Sequence, residues 1–412
     1  MTPPGARLMQ RLDAFARHSD EPGRITRLYL SPAHKSAARE LCGWMREAGM
    51  RTSIDALGTV TGRYESSPAG APALLIGSHI DSVRDAGRFD GTLGVLAGLT
   101  AVEELARAGE KFPFAIEVVA FGDEEGVRFP DTFAGSRALA GIFDAAALAG
   151  EDANGISLRE ALITFGCDPT RIADIPRKRN DVLAYVEAHI EQGPVLESEN
   201  LPLGIVTAIN ALKRLSVTVE GEAGHAGTVP MGMRRDALAA AAEMVLAVEK
   251  IAAAAGDVVA TVGQIETVPG AVNVIAGMTR FTIDVRATGD AARDATVERI
   301  EQAIRAIAER RRVTVDLKVN NRTPAAACSP LVIRGLSEAI ARQGIAVRML
   351  PSGAGHDAMI VAALCPVGML FVRCRGGISH NPAESISIED ADMCVRVLLD
   401  YIRHFDMSAC RA

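Results

Sequence analysis

The sequence predicts an α/β protein, a mixed sheet with helices on its faces, interrupted by an inserted α+β layer. Three observations carry this expectation. A continuous apolar run at 73–76 and mainly apolar stretches at 114–121 and 182–188, each of the latter two broken by one glutamate, have the character of strands covered on both faces. Helical periodicity at 94–108, 331–343 and 388–404 alternates with strand patterns. Polar residues gather where the apolar runs end, at His79, at Asp123-Glu124-Glu125 and at His189, which is where open α/β sheets bind ligands.

Taken in order, residues 7–50 read as helical, with Leu8, Leu12 and Phe15 and later Ala38, Leu41 and Met45 recurring at three- and four-residue steps. Residues 53–64 read as a strand pair turning at Leu57-Gly58, and 73–82 as the first buried strand. The helix at 94–108 is closed by Gly109. Residues 130–180 mix short helices and loops.

The pattern changes near residue 211. Alternation at 215–220, an alanine-rich helix at 236–255, strands at 258–265 and 278–287, a helix at 292–311 and a strand at 313–319 spell β-α-β-β-α-β, a ferredoxin-like layer. Residues 320–329 read as a return linker, after which the α/β pattern resumes. The expected division is therefore a discontinuous larger domain, 1–210 and 325–412, and an inserted domain, 211–324.

A net charge of −7 and a pI near 5.7 argue against a nucleic-acid-binding surface. Seven cysteines, an odd number without a C-x-x-C pair, form no disulfide framework and fit a reducing cytoplasm. Residues 1–24 lack the apolar stretch of a secretory leader, and no apolar run is long enough to suggest a membrane span. The expected location is cytoplasmic.

Of eight histidines, His18, His34 and His404 lie in polar, helix-like settings and read as surface residues. The other five, at 79, 189, 225, 356 and 380, sit at strand ends or in glycine-rich loops. Imidazoles beside carboxylates at such places are what a metal site requires. In Gly77-Ser78-His79-Ile80-Asp81-Ser82, His79 and Asp81 share a face of an extended segment. That suits a ligand, His79, whose other ring nitrogen is held by Asp81; it equally suits a strand end before a capped helix. Asp90, in Phe89-Asp90-Gly91, opens the turn into the next helix and could supply a carboxylate to the same ion.

Glu124 and Glu125 repel each other at the end of a buried strand unless a cation compensates; the other reading is a solvated acidic turn. With a metal, one glutamate binds it and the other takes a proton from water. His189, in Glu187-Ala188-His189-Ile190-Glu191-Gln192-Gly193, is either a ligand or a satisfied core histidine. His380 stands in Ile378-Ser379-His380-Asn381-Pro382, with glycines before it that allow close approach.

Together with Gly224-His225-Ala226-Gly227 and Ser352-Gly353-Ala354-Gly355-His356-Asp357, these motifs span nearly the whole chain. They resemble the hydantoinase/carbamoylase type of amidase within the M20 metallopeptidase family. That type comprises N-carbamoyl-L-amino-acid hydrolases, allantoate amidohydrolases and ureidoglycolate hydrolases. The resemblance implies a catalytic domain with an inserted lid and dimerisation domain, and a homodimer formed through that lid. It implies two divalent ions per subunit, Zn or Mn with Co or Ni possible. Asp90 would bridge them, His79 and His189 holding one and Glu125 and His380 the other. Glu124 would be the general base and His225 the oxyanion partner. Gln192, Asn273, Arg286, Gly355 and His356 would contact a small ureido acid, Arg286 through its carboxylate.

The reaction so implied is cleavage of a ureido C–N bond with release of ammonia and carbon dioxide. Arg373 and Arg375, close to the His380 loop, favour allantoate over N-carbamoyl-L-amino acids as the substrate. A peptidase or deacylase of the same fold and a catalytically silent ligand-binding relative are the remaining readings. Histidine rather than a carboxylate at 189 speaks against the first, and an intact Glu124 with its ligand set against the second.

Overall fold

A computed structural model describes residues 2–407. It divides into two compact units, 1–207 with 327–412, and 208–326. The first stretch of the larger unit carries helices α1 (Pro4–Phe15) and α2 (Pro32–Glu47), strands β1 (Arg51–Ile54), β2 (Val60–Tyr64) and β3 (Ala73–His79), helix α3 (Thr92–Arg107) and strand β4 (Ala115–Phe121). Short helices α4 (Ala134–Leu139) and α5 (Leu158–Phe165) precede β5 (Val182–Ile190), α6 (Val195–Ser198) and β6 (Leu203–Ile209).

The smaller unit contains β7 (Ala211–Glu220), β8 (Gly224–His225), α7 (Ala237–Ala253), β9 (Val258–Thr261), β10 (Ile265–Val268), β11 (Val274–Ile275), β12 (Met278–Ala287), α8 (Asp290–Arg311) and β13 (Thr314–Thr323). The two-residue strand β14 (Ala326–Ala327) leads back to α9 (Pro330–Arg342), β15 (Met349–Ser352), α10 (Asp357–Val361), β16 (Val367–Val372) and α11 (Ile388–Arg403).

The larger sheet runs β1-β2-β4-β3-β5-β16-β6-β14, with β15 also on β6. Its centre, β4-β3-β5-β16, is parallel, and β1-β2, β2-β4 and β16-β6 pair antiparallel. Every residue of β3, β4, β5 and β16 is buried, as strands covered on both faces must be. Helix α3 is apolar on nearly all sides because it is enclosed between β3, β5, α1 and α11.

Two departures from the sequence reading concern the first fifty residues. The helical stretch is two helices, separated at 16–31 where Pro22-Gly23 stops the pattern and Ser31 caps α2 through the His34 amide. His34 is not a surface residue but fully buried beside Tyr29 and Phe165. Its Nδ1 accepts the Leu30 amide at 2.9 Å, and burial pushes its pKa down to about 3.

In the smaller unit the sheet runs β10-β12-β7-β13 with β9 also on β12, all antiparallel. Helices α7 and α8 share its apolar core. The predicted strand at 258–265 is broken into β9 and β10 around Gly263. The predicted linker at 320–329 is partly strand, because β13 passes a bulge between Val319 and Asn321 and continues to Thr323. Cys42, Cys167, Cys328, Cys374 and Cys394 are free cysteines, and Cys410 lies outside the described residues. No helix is long and apolar enough to cross a membrane among the described residues.

The approach of α3 to the sheet depends on Gly94, where an added Cβ would lie 2.1 Å from the Ala188 carbonyl oxygen. Gly94→Ala is expected to destabilise by about 1–3 kcal/mol or more. Gly43→Ala, in α2 with nothing within 4 Å of the new Cβ, should instead stabilise by about 0.5–1 kcal/mol. Urea unfolding of the two variants checks both signs.

His34 provides a pH prediction. Its folded pKa lies below the unfolded one, so the unfolded chain binds the proton first as pH falls. Stability is therefore lost below about pH 6.5, at about 1.4 kcal/mol per pH unit. Between pH 7 and pH 5 the protein should lose about 2 kcal/mol more than its His34→Gln variant.

Candidate metal centre

Because β3, β4, β5 and β16 are parallel, their carboxyl ends lie along one edge of the sheet. His79 is the last residue of β3 and His189 the penultimate residue of β5. The loop after β4 carries Glu124 and Glu125, and the loop after β16 carries Ser379 and His380. Asp90 stands immediately before α3 and faces this edge from the turn at Gly91.

The side chains converge on Asp90. His79, Asp90 and His189 offer donor atoms within 4.8 Å of one another, as do Asp90, Glu125 and His380. Oδ1 of Asp90 lies 3.4 Å from His79 Nε2 and 3.1 Å from His189 Nε2. Oδ2 lies 3.4 Å from His380 Nε2, which is 3.5 Å from Glu125 Oε2. One carboxylate thus faces two pairs of donors with its two oxygens. Glu124 Oε2 stands 3.9 Å from His79 Nε2 and belongs to neither group of three.

The ring tautomers follow from the other nitrogens. His79 Nδ1 donates to the Asp81 carbonyl oxygen at 3.1 Å, and His189 Nδ1 to the Ile190 carbonyl oxygen at 2.9 Å. His79 Nε2 therefore aims its lone pair at an Asp90 oxygen, an arrangement that requires a proton or a cation between them, whereas His189 Nε2, also facing Asp90, accepts the Gly91 amide at 3.2 Å. Metal–ligand bonds of about 2.0–2.2 Å, at angles from octahedral to tetrahedral, set donor atoms about 3.0–3.5 Å apart. The four contacts of Asp90 and Glu125 fall in that range. The residues present fit a pair of divalent ions.

The electrostatics agree. Burial works against a charged His79, but Glu124, Asp90, Asp81 and Glu125 hold its imidazole well above the ordinary pKa. Burial also opposes the charge on Asp90, and His189, His380 and His79 outweigh it, keeping the carboxyl well below the usual range. Glu125 is pushed up to about 7 by burial and by Asp90. Glu124 is raised well above the ordinary value by burial, with Glu125, Asp357 and Asp81 adding to it against His79. Glu124, Glu125 and His79 cling to protons around an Asp90 that gives its own up, so added positive charge is favoured in the cluster.

Asp81 acts differently from the sequence reading. Its backbone oxygen, not its carboxylate, is the nearer partner of His79 Nδ1; the carboxylate is 3.7 Å away. The carboxylate instead accepts the amides of Glu124 and Glu125 at 3.3 and 3.2 Å and so fixes the acidic loop. Gly91 has φ +65°, and a Cβ there would lie 2.4 Å from the His79 ring.

Gln192 donates to Asp90 Oδ2 at 2.8 Å and to Ser379 Oγ at 3.2 Å. His356 is buried against the His189 ring, its Nε2 bonded to Ser352 Oγ at the end of β15 at 2.7 Å, while Gly355 is exposed. Two residues that sequence reasoning missed touch the Asp90 turn. Glu384 Oε1 accepts the amides of Phe89 and Asp90 at 2.7 and 3.1 Å, and Ser379 Oγ donates to Asp90 Oδ2 at 2.6 Å. Glu384 is pushed up to about 7 by burial and by Asp90. The only signal available was an acid four residues past His380 in a polar loop.

The remaining predicted residues lie in the smaller unit. His225 and Asn273 are neighbours there, because β8 pairs with β11 and Ala226 donates to the Asn273 carbonyl oxygen at 3.0 Å. His225 Nδ1 accepts the Gly227 amide at 3.0 Å, which leaves Nε2 as the proton-bearing, donating nitrogen. Arg286 holds Asp284 through two bonds of 2.8 and 3.1 Å, and Asp284 is shared with Arg214 at 2.9 Å.

The sequence profile of peptidase family M20/M25/M40 matches residues 75–404. The chain belongs to that family. An N-carbamoyl-L-amino acid amidohydrolase from Geobacillus stearothermophilus is 42% identical to it over 395 residues, 96% of this chain and 97% of the relative. An allantoate deiminase from Arabidopsis thaliana is 40% identical over 95% of this chain and 81% of the relative. A hydantoinase/carbamoylase family amidase from Burkholderia multivorans superposes with a TM-score of 0.92 at 34% identity, covering 97% of each chain. Within the M20 family the chain is of the hydantoinase/carbamoylase amidase type, a hydrolase acting on amide C–N bonds.

In this M20 chain Asp81 offers a direct test of the loop geometry. Asp81→Asn keeps one acceptor oxygen for two amides, so the Glu124-Glu125 loop loses its anchor. Affinity for Zn or Mn, measured by competition with a chelator, should fall about 10–100-fold.

Proposed function

We propose that the chain is a metal-dependent amidohydrolase that cleaves the terminal ureido C–N bond of a small ureido acid, releasing ammonia and carbon dioxide. The observation that carries this reading is Asp90 with two pairs of donors on its two oxygens and Glu124 beside them. Two divalent ions held by His79-His189-Asp90 and Asp90-Glu125-His380 would supply Lewis-acid polarisation of the ureido carbonyl and acidify water.

The chain's own residues do the rest. Glu124, outside both ligand groups, takes the proton of the attacking water and returns it to the leaving nitrogen. His225 is assigned to the oxyanion of the tetrahedral intermediate, for which its Nε2–H is the right donor. Arg286, with Asn273, is assigned to the substrate carboxylate, for which its guanidinium has to exchange Asp284, the carboxylate that holds it here, for the substrate. Gln192, Gly355 and His356 are assigned to further substrate contacts, and assembly as a homodimer through the inserted domain, 211–324, is part of the same proposal.

Allantoate is the first candidate substrate. Arg373 lends this less support than its sequence position promised, because its guanidinium is held by Asp390 at 3.0 and 2.9 Å. Arg375 is exposed five residues before His380, and a relative named allantoate deiminase is 40% identical. An N-carbamoyl-L-amino acid is the second candidate, favoured by the 42% identity to an amidohydrolase so named.

Ammonia release from allantoate and from N-carbamoyl-L-methionine, compared with release of free amino acids from dipeptides, with Mn or Zn added, separates these readings. Turnover of a ureido compound alone is expected, and turnover of the dipeptides alone would overturn the proposal. Glu124→Gln should lower kcat by about 100–10,000-fold with the bound metal retained.

A further inference from the structure

Asp90 Oδ2 is crowded. It receives hydrogen bonds from Ser379 Oγ at 2.6 Å and Gln192 Nε2 at 2.8 Å, and it also faces His380 Nε2 at 3.4 Å. An ionised carboxylate oxygen has two lone-pair sites. With a cation on the His380 side, Oδ2 keeps room for one of the two donors.

The two donors are not held alike. Ser379 stands against Glu384, whose Oε2 is 3.3 Å from its hydroxyl. Glu384 is buried, and its other oxygen accepts the Phe89 and Asp90 amides, so one carboxylate ties the Asp90 backbone to the Ser379 loop. Gly87 packs so closely on Glu384 that an added Cβ would lie 2.4 Å from its carboxyl group. The Ser379 hydroxyl is therefore built in place from behind. Gln192, by contrast, sits at φ +57° on the loop after β5, and its amide oxygen has no hydrogen-bond partner.

We infer that Ser379, seated by Glu384, is the positioning residue that orients Asp90 Oδ2 toward the His380–Glu125 cation, whereas Gln192 is a placeholder that leaves Asp90 when this cation binds. The inference rests on the metal-pair reading above. Ser379 sets the rotation of the carboxylate, and the freed Gln192 amide turns to the substrate.

Mn(II) titration of the chelator-stripped protein tests this, with free Mn(II) read by EPR. The native protein should take up two ions; uptake of none would overturn the metal-pair reading itself. If the native protein binds two, Ser379→Ala should weaken the second ion about 10–100-fold and leave the first unchanged. Ser379→Thr, which keeps the hydroxyl, should restore the second ion. Gln192→Ala should bind both ions as the native protein does and raise KM for the ureido substrate. Native affinity for both ions in Ser379→Ala would overturn the inference alone. So would loss of the second ion in Gln192→Ala, or failure of Ser379→Thr to rescue a folded protein, with folding read by circular dichroism.

Discussion

One buried carboxylate between three imidazoles sets the terms for the rest of the larger unit. Asp90 is almost completely out of water, where an isolated carboxylate costs several kcal/mol. Its Oδ1 faces the Nε2 atoms of His79 and His189, whose rings are fixed by bonds to backbone carbonyls, and its Oδ2 accepts from Ser379 and Gln192 and faces His380. A site so arranged is at rest only with positive charge inside it, and protons or divalent ions are the available sources.

The fold can be understood as the means of holding that carboxylate. Parallel strands bring three loops and two strand ends to one edge. The start of α3 presents Asp90 there, and Gly91 and Gly94 let this helix approach the His79 ring and the β5 backbone more closely than any side chain would permit. Asp81 then fixes the acidic loop on one side, and Glu384 fixes the Asp90 turn on the other. Each is a carboxylate that accepts two consecutive backbone amides, so the centre is flanked by rigid loops. Glu124 stands beside His79 without being one of the five grouped side chains, which leaves its oxygens available for proton transfer.

Much of this was legible in the sequence, for a physical reason. Strands buried on both faces leave mainly apolar stretches, so β3, β4 and β5 could be found, even with Glu117 and Glu187 inside the last two, and the polar residues at their ends singled out. The residues that escaped notice are those whose role depends on a distant partner. His34 looks like any helix-surface histidine until Tyr29 and Phe165 close over it. Glu384 has meaning only through amides almost 300 positions away, and Arg373 and Arg286 read as free cations until Asp390 and Asp284 are seen to occupy them. Local pattern reports periodicity and burial; it does not report which long-range pairs form.

The central claim is that Asp90 joins two cation positions. Anomalous diffraction at the Mn edge, on crystals of the Mn-loaded protein, tests it most directly. Two peaks are expected, one among His79, His189 and Asp90 and the other among Asp90, Glu125 and His380. A single peak, or peaks that leave Asp90 without contact, would contradict the account.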